Sequence, residues 1–327
     1  MAETLIVAEQ LDGGLHPVVG ELVAAGQSLE GDRALVLLGA DLREISNIAA
    51  GVGVDKVYGV EHDLLIHETS EDLWVAALEQ VCRQIEPSVV LIGRTLLGRD
   101  VGPRLAYRLG VGVAQDCVGL KQEEDSGRIV VTRPVYGGNA VATMSFGSQD
   151  PQVVIVRPRI YEPLETDTSQ TSEIIPLTVN LDSSMIRVRH IERVKSEMEG
   201  VRLEDASVVV AGGRGIGGQE SFNQLSELAE ILDGAVGASR AVCDAGWADH
   251  NLQIGLTGAT ITPDLYITVG ISGASQHMAG CSGAKHIVAI NKDVNANIFK
   301  EARFGVVGDW NNILPAFIAA VQDLSDE

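Results

Sequence analysis

Along residues 5–110 the chain alternates two patterns. Short aliphatic and β-branched runs at 5–8, 34–38, 56–60 and 88–92 show little polar alternation, as strands buried on both faces do. Between them, residues 17–29, 41–50 and 71–85 repeat apolar positions at helical spacing. This alternation predicts a parallel sheet covered by helices on both faces. Gly39 and Gly93 punctuate the ends of two of the runs.

Beyond Gly110 the grammar changes. Residues 128–135, 140–146 and 152–157 are closely spaced β runs separated by Gly and Asp-Pro turns, which predicts hairpin-type additions at the sheet edge. Residues 162–173 are polar and nearly free of core formers, the composition of an exposed loop or crossover linker. Residues 186–195 alternate apolar with charged, like an edge strand running up to a boundary. The second half returns to strands at 207–211, 265–269, 286–290 and 305–307, with helices at 219–232 and 311–324. The expected architecture is α/β with two domains, residues 1–195 and 196–327.

Composition narrows the function. The formal net charge of −21 argues against nucleic acid as a partner, since phosphate neutralisation needs clustered Lys and Arg. The 36 glycines, with aromatics at only 4%, suit a protein with many tight turns and close backbone approaches to a nucleotide. Cys82, Cys117, Cys243 and Cys281 have no metal-ligand spacing and read as buried free thiols, so no metal site is expected. The N-terminus lacks a basic leader and no apolar stretch is long enough for membrane insertion, so a cytoplasmic location is expected.

One loop carries candidate chemistry. The run from Ala211 to Gly218 follows a strand, precedes a helix, and contains Gly213, Gly215 and Gly218 in the dinucleotide spacing. Such a loop lets backbone N–H groups approach a phosphate, and a helix N-terminus adds about half a positive charge. Arg214 would add a bidentate donor. A turn with no ligand remains the competing reading of the pattern alone. An NAD site would also want an acid at the end of the next strand. Asp233 has the spacing but sits at a helix end before Gly234, which weakens that reading.

Downstream come Val236-Gly-Ala-Ser-Arg-Ala241, Asp244-Ala-Gly246, Gln253-Ile-Gly-Leu-Thr-Gly258, Val269-Gly-Ile-Ser-Gly-Ala-Ser-Gln-His277, Ala289-Ile-Asn-Lys-Asp293 and Val306-Val-Gly-Asp309. In this order and spacing they resemble the FAD-binding domain of the electron-transfer flavoprotein alpha subunit family. Arg133-Pro-Val-Tyr-Gly-Gly-Asn139 resembles a further family segment in the N-terminal half. The resemblance implies an N-terminal adenine-nucleotide α-hydrolase-like parallel sheet serving as scaffold and partner interface. It implies a C-terminal Rossmann- or flavodoxin-like domain holding FAD non-covalently.

The resemblance also implies roles for individual residues. Arg214, Ser239 and Arg240 match FAD-contacting positions, with the Arg240 guanidinium against the isoalloxazine ring. Thr257, followed by Gly258, matches a hydroxyl near flavin N5, and His277 a group near the pyrimidine edge. Gln253, Ser272, Gln276, Asn291 and Asp309 match positions along the ribityl, phosphate or adenosine portions. Reduction puts negative charge on the flavin, and a cation and a donor beside it stabilise that charge. Leu256 departs from the glutamine common in the family at that position, and it cannot hydrogen-bond.

The family pattern implies a heterodimer with an electron-transfer flavoprotein beta subunit. It implies an electron carrier rather than a stand-alone enzyme. Typical donors are acyl-CoA dehydrogenases, as in fatty acid beta-oxidation, with a quinone oxidoreductase as acceptor; bifurcating members use NADH and ferredoxin or flavodoxin. The competing readings are a stand-alone NAD-dependent oxidoreductase built on the glycine loop and a non-redox nucleotide-binding regulator. The sequence offers no catalytic acid–base pair for the first of these.

Overall fold

A computed structural model describes residues 3–66, 70–136, 140–164, 172–188 and 201–325. The chain divides into two units, one of Met1–Pro134 with Val141–Val194 and one of Val135–Ala140 with Lys195–Glu327.

The first unit is built, in chain order, from β1 (Glu3–Ala8), β2 (Gln10–Leu11), β3 (Gly14–Leu15), α1 (Val18–Gly26), β4 (Asp32–Gly39), α2 (Arg43–Ala50), β5 (Lys56–Glu61) and α3 (Glu71–Ile85). There follow β6 (Val89–Gly93), α4 (Leu96–Leu109), β7 (Val113–Cys117), β8 (Gly119–Gln122), β9 (Ile129–Val135), β10 (Ala140–Ser145), β11 (Gln152–Val156) and β12 (Glu173–Leu177). Seven strands form a parallel sheet in the order β12-β5-β4-β1-β6-β11-β7. The period-2 geometry of the strands splits their side chains between two cores. Leu5, Val7, Val36, Val90 and Ile155 pack with α3 and α4, while Ile6, Ala8, Leu35, Leu91 and Val154 pack with α1 and α2. β10, β9 and β8 form a separate three-stranded sheet.

Two expectations are corrected here. Residues 152–157 are not a hairpin addition: β11 lies inside the main sheet between β6 and β7, parallel to both, and all five of its residues are buried. One edge of the sheet is β12, which pairs with β5, and the other is β7. Ile186–Val188 form no strand, and residues 189–195 lie outside the described residues, as do most of the predicted loop at 162–173 and the Gly137–Asn139 end of the family-like segment. Asp72, nearly fully buried, accepts from the backbone N–H groups of Arg187 (2.7 Å) and Val188 (3.2 Å), which holds that stretch in non-strand geometry.

The second unit runs β13 (Val208–Gly212), α5 (Phe222–Ile231), β14 (Ala235–Ser239), α6 (Arg240–Cys243), β15 (Gln253–Ile254), β16 (Leu265–Val269), α7 (Ser275–Cys281), β17 (His286–Asn291), α8 (Ile298–Glu301), β18 (Phe304–Val307) and α9 (Trp310–Ser325). Its sheet is wholly parallel, in the order β15-β14-β13-β16-β17-β18. Counted within the unit this is 3-2-1-4-5-6, the doubly wound dinucleotide-binding order. Val209, Ala211 and Tyr266 face the core under α7 and α8; Val210, Ile267 and Ile290 face the core under α5 and α9. The strand order reverses between β13 and β16, so a crevice opens at their carboxyl ends. Among the described residues no helix is long and apolar enough to cross a membrane.

Candidate functional site

The loop after β13 is built by close approach of two backbones. Gly213 N donates to Val269 O (2.8 Å) and Gly215 N to Gly270 O (3.1 Å), joining this loop to the one after β16. A Cβ at Gly213 would meet Gly270 O at 2.2 Å, and one at Gly215 would meet it at 2.8 Å. These two glycines are therefore required by protein packing. Gly218 differs: a Cβ there meets nothing within 4 Å, so it faces open space. The loop does not open directly into the helix. Short 3-10 turns at Arg214–Ile216 and Gln219–Ser221 intervene, and α5 begins at Phe222.

Because the sheet is parallel, the candidate residues come to one edge of it. Arg214 follows β13, Ser239 ends β14, and Arg240 opens α6. Ser272 lies in the loop after β16, Gln276 and His277 are in the first turn of α7, Asn291 ends β17, and Asp309 follows β18. Ser239 occupies the strand end where an NAD site would carry an acid.

The side chains fall into two groups. Arg214, Ser272 and Gln276 are exposed and Ser239 half-buried, and among the described residues their side chains have no protein hydrogen-bond or ion-pair partner. Arg240 is 66% exposed and meets Asp244 one helical turn away at 3.3 Å. The others are braced. Gln253 is buried and donates from Nε2 to Thr257 Oγ1 at 3.0 Å. Asn291 donates from Nδ2 to Ile271 O (2.8 Å) and accepts from Asp293 N (3.0 Å). Asp309 caps α9 through Asn311 N at 3.0 Å, and this donation keeps its carboxyl below the usual range.

Backbone bonds also hold the turn that carries Thr257. Leu256 N donates to Gln276 O (2.7 Å) and Ala259 N to Gln253 O (2.7 Å). A Cβ at Gly258 would strike Gln253 O at 2.2 Å, so this glycine too answers to a protein contact. Leu256 is 66% exposed, an apolar side chain presented to the outside of the turn.

His277 is buried, and its Nε2 lies 2.8 Å from the hydroxyl of fully buried Tyr266. Burial pushes the His277 pKa down to about 4, and the Ile254 backbone offsets this only in part. The imidazole is thus neutral at pH 7. Its Nδ1 is buried without a partner in hydrogen-bond geometry. The Ile254 backbone is the group that faces it, so the ring is held between Tyr266 and Ile254. The unpartnered side chains of Arg214, Ser239, Ser272 and Gln276 fit a polyhydroxylated, phosphate-bearing cofactor at this edge.

Two contributors go beyond the site residues singled out in the sequence. Tyr266 lies eleven residues from His277, on a different element, and no local spacing links them. Asp244 stands four residues after Arg240, so helical spacing alone could have paired them.

Comparison with known proteins gives matching families for both halves. Residues 4–182 match the electron transfer flavoprotein domain, and residues 202–282 match the electron transfer flavoprotein FAD-binding domain. The electron transfer flavoprotein subunit alpha of Thermoanaerobacterium thermosaccharolyticum is 40% identical over 323 residues, covering 98% of this chain and 97% of that protein. That of Bacillus subtilis is 40% identical over 326 residues, covering 99% and 98%. The FixB protein of Azotobacter vinelandii is 35% identical over 329 residues, covering 96% and 89%.

Proposed function

The chain belongs to the electron transfer flavoprotein alpha subunit family, and from that premise we propose that it is the FAD-carrying half of a heterodimeric electron carrier. The cofactor of this family's C-terminal domain is FAD. The observation that carries the reading is the set of unpartnered donors on Arg214, Ser239, Ser272 and Gln276 converging on the carboxyl edge of a 3-2-1-4-5-6 sheet.

In this reading residues 196–327 hold the cofactor and residues 1–195 act as scaffold and partner interface. Arg214 and Ser239 bind phosphate and hydroxyl groups, with Ser272 and Gln276 beside them. Gln253 keeps Thr257 oriented, Gly258 keeps that turn tight, and Asn291 and Asp309 fix the loops at the far strands. Arg240 supplies a positive charge, and neutral His277, held by Tyr266, supplies a fixed dipole. When bound, the flavin accepts and releases electrons one at a time or in pairs. The chain's own contribution is electrostatic: a cation and fixed dipoles positioned before any charge arrives.

The partner is an electron-transfer flavoprotein beta subunit. The proposed donors are flavoprotein dehydrogenases of the acyl-CoA dehydrogenase type, and the proposed acceptor is a quinone oxidoreductase. The test is anaerobic reduction of the reconstituted two-subunit protein, followed by flavin absorbance. Bleaching by an acyl-CoA dehydrogenase with its substrate, and not by NADH alone, is the expected result. Bleaching by NADH without any dehydrogenase would overturn the assignment of donors and point to a bifurcating system passing electrons to ferredoxin.

A further inference from the structure

A second cluster of charge lies wholly within the first unit, away from any residue assigned above. Adjacent backbones line it up at the carboxyl ends of β6, β11 and β7. Arg94 N donates to Val156 O (2.8 Å), Arg157 N to Cys117 O (2.9 Å), and Val118 N to Thr132 O (2.8 Å). These bonds set Arg94, Arg157, Asp116 and Arg133 side by side. Arg99 joins them from the first turn of α4.

The charges do not balance. Asp116 accepts from Arg157 through both oxygens, at 2.8 and 2.7 Å, and also meets Arg94 Nε at 3.2 Å. One carboxylate thus serves two guanidinium groups. Arg99 and Arg133 have no ion-pair or side-chain hydrogen-bond partner among the described residues, and Arg133 Nε is buried. Burial chiefly draws the Arg94 pKa below its ordinary value; Asp116 offsets part of this, while Arg99, Arg157 and Arg133 each push it further down. The cluster is thus a local excess of positive charge in a chain of net charge −21, and an anion would relieve the repulsion among its arginines.

The adjoining helix points the same way. Thr95 caps α4 by accepting from Gly98 N at 2.9 Å, and the first turn holds no acidic residue. Arg99 instead puts a cation near the positive end of a 14-residue helix, the unfavourable sign for the dipole. The site also lies beside the reversal of strand order between β1 and β6, where open α/β sheets bind ligands.

We propose that the carboxyl ends of β6, β11 and β7 form a binding site for a phosphate group. Arg94, Arg99 and Arg133 are its ligands, and the Arg157–Asp116 pair braces Arg94. Guanidinium groups match phosphate oxygens in charge and in fork geometry. The phosphate can be free or carried by a nucleotide, and the experiment separates these.

The experiment is calorimetric titration of the FAD-loaded two-subunit protein at constant ionic strength, with inorganic phosphate and with AMP in separate arms. Loading with FAD removes the flavin site from competition, and visible absorbance checks that it stays loaded. Saturable phosphate binding is expected, weakened about tenfold or more in Arg133→Gln and in Arg99→Gln. Arg43→Gln, at an exposed pair with Asp41, should bind as wild type. AMP binding that is tighter than phosphate and lost in the same variants identifies a nucleotide as the source; equal affinity identifies free phosphate. Arg99 is exposed, so its variant decides the matter if Arg133→Gln fails to fold. Absence of saturable binding overturns the proposal, as does wild-type affinity in either folded variant.

Discussion

Arg240 is held to the protein by one partner, Asp244, and two-thirds of its side chain is open to solvent. An exposed ion pair one helical turn apart contributes roughly 0.3–0.5 kcal/mol, so removing it should scarcely change folding. In the proposed site its electrostatic effect on the flavin would be larger, because reduction would add charge beside the cation. Arg240→Ala should lower the flavin midpoint potential by some tens to about a hundred millivolts while leaving the unfolding midpoint nearly unchanged. Arg240→Lys should recover part of the loss, since ammonium lacks the planar fork. A redox titration of the reconstituted complex reads both; unchanged potentials in the Ala variant would remove Arg240 from the flavin and turn attention to Arg214.

Two buried groups make opposite contributions to pH dependence. His277 is held neutral with a pKa of about 4 in the folded chain, below the ordinary 6.5. Unfolding lets it take up a proton, so its contribution to stability is full above pH 6.5 and lost as pH falls toward 4. Glu9, buried and receiving a 2.6 Å hydrogen bond from Thr95 Oγ1, has its pKa raised from 4.5 to about 7, burial outweighing that bond. Its contribution is full below pH 4.5 and lost as pH rises through 7. Glu9→Gln keeps a neutral acceptor for Thr95. It should raise stability at pH 8 relative to wild type, by up to about 3 kcal/mol, and change little at pH 4.5. Denaturant unfolding at the two pH values is the check, and an equal effect at both would show that Glu9 ionisation is not the cause.

At the scale of elements, the glycine-rich loop divides into positions that pack and positions that open. Gly213 is required by the approach of the β16 loop, so Gly213→Ala must push two backbones apart and should destabilise the second unit by about 1–3 kcal/mol. Gly218→Ala meets no atom within 4 Å and its backbone is extended, so stability should hold within about 0.5 kcal/mol. Any effect of Gly218→Ala belongs to FAD affinity. Comparing unfolding midpoints with FAD dissociation constants separates the two, and a destabilised Gly218 variant would contradict the division.

The elements that sequence reading captured are those whose burial writes itself into composition. β1, β4, β5 and β6 are buried runs, and α3 carries apolar spacing over its whole length. α4 was harder, because Gly98, Gly102 and Pro103 look like breakers. A Cβ at Gly98 would strike Gly93 O at 1.9 Å, so that glycine lets the helix lie against β6. The neighbours of β11 in sequence suggest a hairpin, yet its unbroken apolar run is the signature of an internal parallel strand. β12 was hidden by Pro176, which an edge strand tolerates. In the site, the strand-end residues were readable as motifs in order. The Tyr266–His277 contact and the Arg94–Asp116–Arg157 cluster were not, since both are made by side chains from separate strands and helices.

Across the whole molecule, the account assigns different tasks to the two halves. Every candidate flavin-binding residue falls between Arg214 and Asp309, and the first unit's sheet carries its own two cores, so residues 1–195 expressed alone should fold and remain colourless. Stoichiometric flavin on that fragment would refute the assignment. A ligand that binds only the native assembly is retained by mass action, so the chain without its beta subunit should release FAD on gel filtration more readily than the complex.

The central claim, that FAD sits at the carboxyl edge of the C-terminal sheet, is tested most directly by placing a negative charge there. Ser239 ends β14 with an unpartnered hydroxyl, and Arg214 is the exposed, unpartnered cation of the neighbouring loop. Flavin content per chain, read from the absorbance band at about 450 nm after gel filtration of the two-subunit protein, should be stoichiometric in wild type. In the Ser239→Asp and Arg214→Glu variants it should fall to a small fraction, with far-ultraviolet circular dichroism unchanged. Full flavin content and wild-type affinity in both variants would contradict the account.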